Sequence, residues 1–312
     1  MKGELGEEIR KNIQKTGGVS HFSMKNGRCA FLCEDNLCRI IKELGDGGLC
    51  HICREHPRFY SYLSGVTLGG VGMSCEAAAE LILKQEWPSL YGDIIPLLDK
   101  DDEDFEISSR ICRTLLSAEN VLCSDDLSDG EKICRLFEEI ASFEKETADP
   151  FFARDEECGE FILPTLISDL FSKADEKTDG SKVEPSAVEN VRKRLPTLEF
   201  MSDKLEKKLS EVEWSKVKAA FAGSPSFRRI LFNALGYLVL RYVPKADGDF
   251  SPYSFIFSSI VILSLLIACA YPSADVQNGS LPDEVFSEIV RLAVLYSEEI
   301  EYSEENVLAL GE

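Results

Sequence analysis

The sequence lacks any excess of basic residues: 34 Lys and Arg stand against 55 Asp and Glu, a formal charge of −21 over 312 residues. A chain this acidic, with no basic patch, repels a polyanion, and a nucleic-acid partner is excluded. The glycine-rich phosphate loop, the GxSxG elbow, the HExxH pair and the EF-hand loop are all missing, which removes the usual signatures of nucleotide binding, serine hydrolysis, zinc proteolysis and calcium binding. No internal repeat marks a solenoid. The opening residues, MKGELGEEIRKN, contain no apolar signal core, so a cytoplasmic protein without an export signal is expected. The longest apolar run, residues 255–270 (FIFSSIVILSLLIACA), is short for a membrane span and carries serines. A buried helix, with no membrane insertion, is the expectation.

What is present points to a folded, mainly α-helical protein. The hydrophobic content of 44% can fill a substantial core. Leu5, Ile9 and Ile13 repeat on one face and predict a helix over residues 1–15. Lys25-Asn26-Gly27 reads as a turn, so at most a small β-hairpin is expected near residues 20–31. Ser74 stands where it would cap a helix beginning at EAAAELIL. Residues 105–116 read as helical, and the Ser128-x-x-Glu131 capping box predicts another helix start. Farther on, residues 227–243, 253–270 and 282–299 predict three packed helices, with Pro244 ending the first and Pro282 opening the last. The resulting layout is a cysteine-rich region over 1–100, a helical region over 101–172, a charged linker or surface loop over 173–186, and a C-terminal helical region over 187–312.

Eleven cysteines are present, and six of them, Cys29, Cys33, Cys38, Cys50, Cys53 and Cys75, crowd into residues 29–75. In a reducing compartment such crowding favours metal or redox chemistry over a disulfide framework. Four thiolates can hold zinc or an iron–sulfur cluster, and spacing does not choose between them. Cys50-x-x-Cys53 also has the spacing of a redox dithiol. Six exceeds the four that one centre needs, so some of these residues are expected to be ordinary buried thiols. His51 and His56 lie in the same stretch and are expected not to be ligands. Arg54 and Arg58 could balance thiolate charge.

The ordered phrase Cys29-Ala30-Phe31-Leu32, Asn36-Leu37-Cys38-Arg39-Ile40, Glu43-Leu44-Gly45, Leu49, Cys53, Pro57-Arg58 and Met73-Ser74-Cys75-Glu76 resembles the flagellin lysine N-methylases. These are S-adenosylmethionine-dependent enzymes with a cysteine-rich iron–sulfur region. Weaker echoes run through residues 233–242 and 296–303. The resemblance implies Cys29, Cys38, Cys53 and Cys75 as ligands of a 4Fe-4S cluster, with zinc as the alternative metal; Cys33 and Cys50 are extras. Two departures stand out. The family's additional upstream cysteines, including an adjacent pair, have no counterpart here, and Glu298 and Tyr302 stand where relatives show an arginine and a histidine.

The function this resemblance implies is S-adenosylmethionine-dependent methylation of a protein lysine, with flagellin as the expected protein substrate and the cluster in a structural role. Tyr237, Tyr242, Glu301 and Tyr302 are the catalytic candidates, since an amine must be oriented and deprotonated before it attacks a sulfonium methyl. Arg241 and Asn233 are the cofactor-binding candidates, Arg241 through the cofactor carboxylate. Residues 232–242, FNALGYLVLRY, equally suit an amphipathic helix with Tyr and Arg at its wet edge. Two alternatives to the enzyme are a non-enzymatic, metal-stabilised helical protein-binding scaffold or electron-transfer protein, and a zinc-binding structural module.

Overall fold

The computed structural model describes residues 3–16, 19–25, 28–35, 37–84, 94–147, 186–246, 250–271 and 281–311. The linker expected over 173–186 lies outside these apart from Ser186, as does the Asn26-Gly27 turn. The chain divides into two compact units, Met1–His56 and Pro57–Glu312. The fold is mainly α-helical with a few short antiparallel strand pairs.

In the first unit the opening helix covers Glu4–Lys11 and stops short of its predicted end. Asn12 ends it: the Asn12 backbone N–H and side-chain amide both donate to the Glu8 carbonyl, each at 3.0 Å. Ile13 therefore begins a strand, Ile13–Thr16, paired with Val19–Phe22 in the register Ile13↔Phe22. A shorter pair, Met24–Lys25 with Arg28–Cys29, follows within the stretch where a hairpin is expected. Leu5, Phe31 and Ile40 are the buried centre of this unit, and Ile9, Phe22, Cys29, Ala30, Cys38 and Leu49 pack around them.

The second unit opens on an antiparallel hairpin, Arg58–Leu63 with Val66–Val71. Its two-residue turn puts Ser64 at φ 32° and Gly65 at φ 83°. Positive φ at both central positions matches the strand twist, and glycine adopts it without steric cost. Phe59, Ser61 and Leu63 alternate onto the inner face, while Arg58, Tyr60 and Tyr62 are exposed. Ser74 does not cap the next helix, Glu76–Lys84, because its hydroxyl is buried without a partner among the described residues.

The capping box does form. Glu131 N–H reaches Ser128 Oγ at 3.4 Å, and Ser128 N–H donates back to the Glu131 carboxylate at 2.8 Å. That contact starts the Asp129–Thr147 helix, which packs on Phe105–Cys123. Lys132, although buried, donates to the Leu122 carbonyl at 3.1 Å and so closes the end of the preceding helix.

The three predicted C-terminal helices appear as Pro225–Tyr242, Pro252–Cys269 and Asp283–Tyr296. Pro252–Cys269 is long and apolar enough to cross a membrane by length and composition, yet most of it is buried among other helices of this unit. Its start is held by Ser251 Oγ, which accepts from Ser254 N–H at 3.0 Å, and by Glu144, which accepts from Tyr253 N–H at 2.7 Å. After Tyr296 the helix widens into a single π turn, Ser297–Glu301, before the closing helix Glu304–Gly311.

Candidate functional site: a buried arginine–glutamate–tyrosine cluster

Tyr237 and Arg241 stand four residues apart on the Pro225–Tyr242 helix, so their side chains share a face. The π turn ends on Glu301, which it carries to that face; such one-turn widenings re-aim side chains and recur at functional sites. Arg241 Nη1 lies 3.0 Å from Glu301 Oε1, with the guanidinium 4% exposed and the carboxylate 0% exposed. Tyr237 OH donates to Glu301 at 3.0 Å and Tyr242 OH donates to Oε1 at 3.1 Å. Arg241 also donates to the Tyr237 hydroxyl, which accepts a backbone N–H from Met73 at 3.3 Å.

Four rings surround the guanidinium. Its carbon lies 4.9 Å from the ring centre of Phe59, 5.2 Å from Tyr302, 5.3 Å from Tyr242 and 5.9 Å from Tyr237. Arg241 Nε is buried without a hydrogen-bond partner among the described residues, so the aromatic faces are its remaining compensation. Tyr302 OH donates to the Pro57 carbonyl at 2.9 Å, and Gly72 N–H donates to the same oxygen at 2.8 Å. A Cβ on Gly72 would sit 2.5 Å from the Tyr302 hydroxyl and 2.9 Å from Arg241 Nη1, so only glycine lets the hairpin end approach this closely.

Burial raises the phenol pKa values of Tyr237 and Tyr242 well above their ordinary value, and the Glu301 charge raises them further. Burial works to lower that of Arg241, but Glu301, Tyr237 and Tyr242 outweigh it and hold the guanidinium charged. Lys245, over the Tyr242 ring at 5.0 Å, is lowered first by burial and then by the Arg241 charge. A charged pair with neutral phenols is thus the resting state. Its Coulombic attraction and phenol hydrogen bonds offset the desolvation of both ions.

Five of the six candidates chosen from the C-terminal sequence, Tyr237, Arg241, Tyr242, Glu301 and Tyr302, meet in this cluster. Asn233 does not; its amide donates to the Leu83 carbonyl at 2.9 Å at the end of the Glu76–Lys84 helix. Sequence reasoning missed Phe59, Gly72 and the Pro57 carbonyl, which the hairpin delivers. It also missed Glu299, which accepts from Met201 N–H at 2.7 Å and Ser202 Oγ at 2.8 Å. A pocket of about 930 Å³ lined by Arg192, Glu206, Glu211, Glu213 and Trp214, among others, shares no residue with the cluster.

The expected metal centre is corrected by the structure. Among the described residues no group of three or more His, Cys, Asp or Glu is placed to hold a metal ion. Cys29 and Cys38 instead pack against the Leu5, Phe31 and Ile40 centre. Cys53 is exposed, and Cys75 is half-buried directly before the Glu76–Lys84 helix. Although the residue as a whole is exposed, desolvation at its sulfur is the first cause that pushes the Cys53 thiol up to about 12, and the neighbouring thiols add to it. These thiols fit neither the iron–sulfur cluster nor the zinc site.

No protein-family model matches the chain, and no solved structure matches it. Part of the chain is similar to the flagellar biosynthetic protein FliU of Salmonella muenchen, 31% identical over 75 residues. The match covers 24% of this chain and 44% of that relative, so the chain spans less than half of the protein it resembles. The resemblance to the flagellin lysine N-methylases is corrected accordingly: the similarity found is to a protein named for flagellar biosynthesis. The S-adenosylmethionine-dependent methyltransferase reading falls with it. Arg241 is committed to Glu301 and is not open to a cofactor carboxylate, and Tyr237 and Tyr242 donate to that same carboxylate.

Proposed function

We propose that this chain is a non-catalytic, mainly helical scaffold of the cytoplasm that binds a protein component of the flagellum, with flagellin as the first partner to test. The observation that carries the reading is the partial similarity to a flagellar biosynthetic protein. The buried cluster supports it chemically. Its charges and hydroxyls are turned on one another, as in a lock that fixes the hairpin and the π turn to the Pro225–Tyr242 helix. The net charge of −21 favours encounter with basic segments of a partner and makes the complex sensitive to salt.

The test is size-exclusion co-elution of the full chain with purified monomeric flagellin at low and high ionic strength, followed by intact-mass measurement of the flagellin. A shifted one-to-one peak that weakens with salt, with the flagellin mass unchanged, supports the scaffold. Separate elution at both ionic strengths, or a gain of methyl mass in the presence of S-adenosylmethionine, refutes it.

A further inference from the structure

Cys50 and Cys53 are not used by the helical unit or by the small core of the first unit. Cys50 directly precedes the short His51–Glu55 helix, and its carbonyl accepts the Arg54 N–H at 3.0 Å, closing one helical turn. Residues three apart across such a turn have Cα atoms about 5 Å apart. That separation lies inside the roughly 4.4–6.8 Å window of an unstrained disulfide. Both residues are exposed. Cys29 and Cys38, by contrast, are half-buried against apolar neighbours.

We propose that Cys50 and Cys53 form a reversible dithiol–disulfide pair that exchanges with low-molecular-weight disulfides of the glutathione class. Cys50 as thiolate attacks one sulfur of R–S–S–R, forming a mixed disulfide and expelling one R–S⁻. Cys53, losing its proton, then attacks the Cys50 sulfur, forms the internal bond and expels the second R–S⁻. The chain gives up two electrons and two protons, and the small disulfide is reduced to two R–SH. Because the bond closes only one turn of chain, it constrains the unfolded state little. The pair therefore opens and closes without unfolding the protein. Neighbouring thiol placement makes the second step intramolecular, so internal closure outruns accumulation of the mixed disulfide.

The test is equilibration of the full chain in glutathione redox buffers, followed by differential alkylation and peptide mapping. The expected result is a two-hydrogen mass loss confined to the peptide carrying Cys50 and Cys53, with no glutathione adduct accumulating on either residue while the exposed Cys123 stops at an adduct. Cys50→Ser and Cys53→Ser should each stop at a single adduct on the remaining cysteine, with an unchanged circular-dichroism spectrum. Free thiols at both positions in fully oxidised buffer overturn the proposal. So does a disulfide mapped from either residue to Cys29 or Cys38, or a persistent glutathione adduct on Cys50 or Cys53 of the parent protein.

Discussion

Replacing Glu301 by glutamine keeps the side chain's shape and removes the charge that Arg241, Tyr237 and Tyr242 share. Arg241 then remains charged at 4% exposure with no counter-ion at 3.0 Å, and both phenols lose a charged acceptor. Breaking one side of a buried pair in this way costs about 3–5 kcal/mol, because the surviving ion is left desolvated. Arg241→Met should cost a similar amount by stranding Glu301. The double variant Arg241→Met/Glu301→Gln strands neither ion, so its loss should fall well short of the sum of the single losses. Urea denaturation of the four proteins at pH 7, followed by far-ultraviolet circular dichroism, measures each midpoint and slope. A Glu301→Gln protein within about 1 kcal/mol of the parent, or strict additivity in the double variant, would refute a buried electrostatic lock.

Three further perturbations probe the same cluster. Gly72→Ala drives a methyl to 2.5 Å from the Tyr302 hydroxyl; it should cost about 1–3 kcal/mol by overpacking, read as a lowered melting temperature. Tyr302→Phe removes the 2.9 Å hydrogen bond to the Pro57 carbonyl and should cost about 1 kcal/mol while leaving partner binding intact, as equilibrium denaturation and co-elution would show. Tyr237, Tyr242 and Tyr296 are all raised well above the ordinary phenol value, principally by burial. Their contribution is fully present below about pH 10, where unfolded tyrosine titrates, and is lost as pH rises beyond it, because the unfolded chain releases three protons that the folded chain keeps. Stability should fall by about 4 kcal/mol per pH unit above pH 10. Phenolate absorbance should show these three of the nine tyrosines ionising only with unfolding.

The C-terminal helices were legible because their apolar residues repeat at helical spacing and their ends carry proline. Tyr237 and Arg241 could be paired on the same grounds, four residues apart on one strongly patterned helix. Glu301 was within reach as a candidate, but its meeting with them depends on the π turn, which leaves no mark in hydrophobic periodicity. The Arg58–Val71 hairpin did leave a signal: Ser64-Gly65 between the alternating runs RFYSYL and VTLGGV. From sequence, that segment falls only within the cysteine-rich region over 1–100, and a hairpin is expected near residues 20–31. Thiol spacing along a chain carries no side-chain direction, and Cys29 and Cys38 turn into an apolar cluster whose other members, Leu5 and Phe31 among them, give no sign of this in sequence. Ile13 kept the helical period of Leu5 and Ile9 but fell past the Asn12 cap, so tertiary pairing with Phe22 decided its state.

The most direct measurement is calorimetric titration of monomeric flagellin into the 312-residue chain, with S-adenosylmethionine present in a parallel run. A saturable one-to-one isotherm with a Kd of about 10 µM or tighter is expected, identical with and without S-adenosylmethionine. No binding heat together with no complex at flagellin concentrations of about 100 µM would contradict the scaffold, as would consumption of S-adenosylmethionine matched by methylated flagellin.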